Sequence, residues 1–77
     1  MSTIQSPLPG IFYRKPSPDA EPFVTEGSEV TEGQTIGLIE VMKNFTELSA
    51  DNSGTLVTFF VEHAGEVTVG QDIAEIS

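Results

Sequence analysis

The feature that most constrains this chain is an internal repeat. Residues 23–39 read FVTEGSEVTEGQTIGLI and residues 60–76 read FVEHAGEVTVGQDIAEI; at a fixed offset of 37, nine of the seventeen positions are identical. The shared residues include Phe23/Phe60, Val30/Val67, Gly33/Gly70, Gln34/Gln71 and Ile39/Ile76. A solenoid needs about three or more stacked units to bury a continuous core. Two copies therefore predict two halves packed face to face about a pseudo-two-fold axis.

The pattern inside each copy predicts strands. Short β-branched segments, Glu29–Thr31 and then Thr35–Val41, are separated by Gly33-Gln34, where glycine can supply the positive φ of a tight turn. The second half repeats this with Val67–Val69, Gly70-Gln71 and Ile73–Ile76. No window carries a 3.6-residue apolar stripe, and Val, Ile, Thr and Phe dominate the positions between turns. The expected fold class is all-β, in one domain over residues 1–77, with residues 1–6 read as a flexible N-terminus.

The symmetry continues upstream at a different offset. Gly10-Ile11-Phe12 matches Gly54-Thr55-Leu56 at 44, so the first half holds seven extra residues, 44 less 37, before Phe23. They fall in residues 16–22, PSPDAEP, whose three prolines exclude a central strand and predict a stiffened protrusion.

Composition narrows the functions open to such a fold. A domain of 77 residues buries only about 60% of the surface its unfolded chain exposes, which leaves little room for an internal active site. The chain has no cysteine, so neither disulfides nor a thiolate-bound metal hold it together. Twelve carboxylates against Arg14, Lys15 and Lys43 give a net charge of -9, which repels phosphate backbones and anionic lipid surfaces, so neither nucleic acid nor membrane is expected as a partner. The opening residues lack a charged segment followed by an apolar run, and a cytoplasmic location is expected. The single histidine, His63, has no cysteine to pair with, and the carboxylates lack metal-ligand spacing. No catalytic residue and no metal are assigned, and His63 is read as a solvated loop residue. Asn44-Phe45-Thr46 fits an N-glycosylation pattern that would need a secretory route.

Residues 40–53, EVMKNFTELSADNS, find no counterpart elsewhere in the chain. The strand entering this stretch can pair with Asn44–Ala50 if the loop is the two residues Met42-Lys43. Two-residue hairpin loops favour Asn-Gly or Asp-Gly because they need positive φ, and here two long side chains stand instead. Local preference is overridden where function demands it, so residues 40–47 are the candidate site, with Lys43 as the only basic side chain after residue 15.

At these residues the chain resembles the biotinyl/lipoyl carrier family, and within it the biotin carboxyl carriers of acetyl-CoA carboxylase. Lipoyl domains usually carry Asp-Lys at their modified hairpin and biotin carriers Ala-Met-Lys-Met; this chain has Val41-Met42-Lys43-Asn44. Gly10-Ile-Phe-Tyr-Arg14 followed by Pro16-Ser-Pro-Asp-Ala20 resembles the opening strand and protruding thumb of those carriers. The resemblance implies a flattened barrel or sandwich of two four-stranded antiparallel sheets, with the modified lysine at one end and both termini at the other. It implies biotin joined covalently to Lys43, with Met42, Val41 and Asn44 as its neighbours at the tip, and Gly27, Gly33, Gly54 and Gly70 as turn glycines. It implies biotin protein ligase, biotin carboxylase and carboxyltransferase as partners, and a non-catalytic shuttle of carboxylate between the last two in fatty acid synthesis. Val41 and Asn44 depart from the family pattern, as does Lys15 at the foot of the thumb, where a smaller polar residue is common. A lipoyl carrier, or an unmodified protein-binding module of the same fold, are the alternatives.

Overall fold

A computed structural model describes residues 2–77. Eight strands follow in order: β1 (Ser2–Gln5), β2 (Gly10–Tyr13), β3 (Glu29–Val30), β4 (Thr35–Val41), β5 (Asn44–Ser49), β6 (Gly54–Phe59), β7 (Gly65–Val67) and β8 (Asp72–Ile76). They form two four-stranded antiparallel sheets, ordered β1-β8-β6-β3 and β5-β4-β2-β7. The all-β sandwich read from the sequence is what the chain adopts.

The two sheets are copies of one another. Phe12 pairs with Ile39 as Leu56 pairs with Ile76, and Gly10 pairs with Val67 as Gly54 pairs with Val30. Each match is an offset of 44 on one strand and 37 on the other. The core shows the same duplication, because Ile36 and Ile73, Ile39 and Ile76, Val30 and Val67, Val24 and Val61, and Phe12 and Leu56 are all buried between the sheets. Burying a side chain of this size contributes about 1.5–3 kcal/mol, and alternation along each strand aims these residues inward.

The conserved turn chemistry of the two halves now has a cause. The side-chain oxygen of Gln34 accepts the Thr31 amide at 3.0 Å, and that of Gln71 accepts the Thr68 amide at 3.0 Å. Gly33 and Gly70 supply the positive φ that brings each glutamine round. This capped turn ends β7 at Val67, earlier than the strand expected over Val67–Val69.

Three expectations need correction. Residue 1 lies outside the described residues, but Ser2–Gln5, expected as a flexible terminus, is a paired strand: it lies against β8, buries Ile4 to 1% exposure, and is followed by a two-way backbone bond of Ser6 with Gln71 and Gly70. The stretch 40–53 is likewise not wholly unmatched. β1 is the counterpart of β5, since Ile4 opposes Ala74 as Leu48 opposes Gly37, again at offsets of 44 and 37. Only the tip joining β4 to β5 has no mate. Finally, Gly54 is not a turn residue. A Cβ there would strike the Ser77 carbonyl, as one on Gly10 would strike the Glu40 carbonyl, so both glycines permit close backbone approach. The left-handed turn position equivalent to Gly27 (φ 92°) belongs to Ala64 (φ 65°), 37 residues on.

Between Tyr13 and Phe23 the chain forms a largely exposed loop that holds the seven residues without a counterpart in the second half. The Phe23 amide donates to the Arg14 carbonyl (3.0 Å) at its base, and the Ala20 amide donates to the Ser17 carbonyl (3.1 Å) inside it. Pro16–Asp19 are exposed.

Candidate functional site at the β4–β5 hairpin

β4 and β5 pair from Thr35↔Ser49 to Val41↔Asn44, which leaves Met42 and Lys43 as a two-residue loop. Their φ values are 50° and 69°, both in the left-handed region that a type I′ turn demands. Neither residue adopts it willingly, because the Cβ of an L-residue crowds the following carbonyl at a cost of about 1 kcal/mol or more. The ladder on either side therefore holds the tip in a conformation its own residues resist.

The tip displays its side chains outward. Met42 is 89% exposed rather than folded back on its neighbours, and Lys43 and Asn44 are exposed beside it. Val41 behaves differently: it is half-buried and packs against the core, so it roots the hairpin instead of lining its outer surface. The four residues singled out in the sequence are thus contiguous at one end of the sandwich, three facing solvent and one anchoring them.

Below the tip, on the outer face of the second sheet, lies a cluster that the sequence reading did not assemble. The Tyr13 hydroxyl donates to Glu40 Oε1 at 2.8 Å. That bond, with desolvation and the Glu40 charge adding to it, holds the phenol above its ordinary pKa. The Tyr13 ring lies 6.1 Å from that of Phe45 and meets His63 edge-on at 5.6 Å. Strand alternation is the signal that could have found Tyr13, Glu40 and Phe45, since each points to the outer face one or two positions from an inward residue. Nothing in the local sequence announces His63, which arrives from the β6–β7 loop.

The loop after β2 closes over this cluster. Tyr13, Lys15, Pro16, Ser17, Pro18, Phe45 and His63 line a groove of about 250 Å³. The base of the loop is pinned through Arg14: its amide donates to His63 Nδ1 (3.0 Å), its guanidinium donates to the Val61 carbonyl (3.1 Å), and its Cζ stands 4.3 Å from the centre of the Phe59 ring. A rigid hairpin with an exposed primary amine at its tip, flanked by an apolar side chain, can present that amine to a partner.

Residues 2–76 match the family described as Biotin-requiring enzyme. The chain is 44% identical over 66 residues to the chloroplastic biotin carboxyl carrier protein of acetyl-CoA carboxylase from Glycine max, covering 86% of this chain and 25% of that protein. It is 36% identical over 76 residues to the corresponding protein of Nostoc sp., covering 99% of this chain and 42% of the relative. The chain therefore spans between a quarter and half of the length of these relatives. Among solved structures, the urea carboxylase of Kluyveromyces lactis superposes with a TM-score of 0.79 at 22% identity, over 99% of this chain and 6% of that one. With its duplicated sandwich, its lysine-tipped hairpin and this similarity along almost its whole length, the chain belongs to the biotin/lipoyl attachment family of biotin-requiring enzymes.

Proposed function

We propose that the chain is a biotin carrier whose attachment point is Lys43, serving a multi-component carboxylase that acts on acetyl-CoA. The observation that carries the reading is the tip itself: an exposed lysine at φ 69°, preceded by a methionine 89% exposed, on a hairpin rooted in the core. An ordinary structural turn would hold Asn-Gly here and lower the strain. Relatives bearing the name biotin carboxyl carrier protein support the choice of biotin over lipoate.

The residues present fit such a group. Attachment requires Lys43 Nζ, after losing a proton, to attack the acyl carbon of biotinyl-adenylate; the amide C–N bond forms, the acyl C–O bond breaks, and AMP leaves. A free lysine amine is almost wholly protonated at neutral pH, so a biotin protein ligase supplies the base. Met42 and Asn44, exposed on either side, are the surface this ligase meets. Biotin, once bound, supplies a nitrogen that takes up and gives back carboxylate.

The chain's own part is presentation. Val41 and the β4–β5 ladder fix the tip, so the flexible reach belongs to the lysine stem and whatever it carries. Tethering keeps the carried group at high effective concentration for biotin carboxylase and for carboxyltransferase, provided the linkage spans both. Loading also removes a cation, which makes the net charge of -9 one unit more negative.

Co-expression with a biotin protein ligase, followed by intact mass measurement, tests the proposal. A gain of one biotinyl group in the parent chain and none in Lys43→Ala is expected. No gain, or a gain that survives the substitution, defeats it, and a gain with lipoate ligase alone favours a lipoyl carrier.

A further inference from the structure

The two halves of the molecule use the same hydrogen bond with different chemistry. In the first half, Glu26 Oε2 accepts the Phe59 amide (2.9 Å) and the Thr58 hydroxyl (2.9 Å). In the second half, His63 stands 37 residues on from Glu26, and its Nδ1 accepts the Arg14 amide at 3.0 Å. Phe59 and Arg14 are themselves equivalent: Phe59 opposes Ala74, and Arg14 follows Tyr13, which opposes Leu38, so that Arg14 comes level with Gly37, the mate of Ala74. Each half thus ties the end of its central strand to a side chain of the loop that crosses it.

The acceptors differ in what acid does to them. A carboxylate goes on accepting until it is protonated in the acid range, and the Phe59 and Thr58 bonds hold Glu26 below the ordinary value. An imidazole accepts through Nδ1 only while it is neutral and carries its proton on Nε2; the imidazolium has two donors and no acceptor. That change falls between about pH 5 and 8 for an ordinary histidine.

We propose that His63 is a pH-sensitive pin for the loop over residues 14–22, holding its base through the Arg14 amide when neutral and releasing it when protonated. The groups around the ring favour release. Arg14 and Lys15 bring two cations from the loop, and protonation places a third charge beside them. Tyr13 faces the ring from β2 as a neutral phenol whose proton is engaged by Glu40. Glu62, next to His63 in the same loop, is the nearest carboxylate in sequence and is exposed. Because His63, Tyr13 and Lys15 also line the groove beside the hairpin, release alters its shape and adds positive charge to its wall. The inference stands on the unmodified chain and is independent of what Lys43 carries.

Amide hydrogen exchange on the isotope-labelled chain between about pH 5 and 8, with each rate referred to its intrinsic value at that pH, reads both bonds at once. As the His63 ring resonances titrate, protection of the Arg14 amide should fall roughly five- to tenfold, the equivalent of one ordinary hydrogen bond, while Phe59 holds steady. His63→Asn, which offers an acceptor oxygen that does not titrate, should keep Arg14 protection flat; His63→Ala should lose it at every pH. Arg14 protection that stays level while His63 titrates would overturn the proposal. A fall shared equally with Phe59, or reproduced in His63→Asn, would overturn it too. Should either variant fail to fold, the contrast between Arg14 and Phe59 in the parent chain decides alone.

Discussion

Replacing the hairpin tip with the residues its geometry asks for should stabilise the domain while removing its attachment point. In Met42→Asn combined with Lys43→Gly, both positions keep φ values of 50° and 69° that the new residues adopt readily. Relief of left-handed strain is worth about 1 kcal/mol at each position. The unfolded chain gains freedom at the new glycine, which takes back about 0.4–1 kcal/mol. Little burial is lost, because Met42 is 89% exposed and Lys43 is exposed as well. The net gain is about 1 kcal/mol, or roughly 4–8 °C in Tm for a domain of this size. Thermal melts followed by circular dichroism, with urea titration to check that the m-value is unchanged, measure it. Lys43→Arg is the control: it keeps the strain and the charge and should leave Tm where it was. A double variant no more stable than the parent would refute the claim that the tip is held against its own preference, and the case for a turn shaped by function would lose its physical basis.

Two further expectations follow from the duplicated loops. Ala64→Gly should stabilise by about 0.5–1 kcal/mol, since Ala64 sits at φ 65° where the first half has Gly27; a urea midpoint that does not rise would contradict this. Glu26 should contribute to the acid limb of stability: its folded-state pKa is lowered first by the Phe59 amide and then by the Thr58 hydroxyl, so its contribution is complete above the ordinary carboxylate value and disappears as pH falls through the lower folded one. Glu26→Gln should therefore flatten the loss of stability below about pH 4.5, the ordinary value, and an unchanged acid limb would count against that role.

How much of this could be read in advance depends on which part of a residue does the work. The symmetry between residues 23–39 and 60–76 was legible because side chains specify it: Ile36 and Ile73 fill the same core position, and Gln34 and Gln71 close the same turn. The match of β1 with β5 was not legible. Ser2–Gln5 and residues 46–49 share no identity, and pairing at a sheet edge uses backbone groups that any sequence supplies. Ala64 was hidden for a related reason, because a left-handed residue imposed by its surroundings leaves no mark on its own identity. At the site, Met42 and Lys43 were recognisable as misfits in a turn, while the approach of His63 to Arg14 joins residues 49 apart through two packed loops.

The symmetry also explains why the hairpin is a stable platform. Ser77 is the mate of Glu40, and Gly54 lies against the Ser77 carbonyl as Gly10 lies against that of Glu40. At one end of the sandwich this close packing clamps residues next to the ends of the described chain. At the other it clamps the root of a hairpin that continues into Met42 and Lys43. A Cβ at position 10 would push on the Glu40 backbone and so on the strand that sets the turn, whereas changes at Met42 or Asn44 touch only solvent-facing groups. The backbone beneath Lys43 is therefore fixed by glycine contact, cross-strand pairing and the inward packing of Val41, and the freedom a carrier needs begins at the lysine side chain.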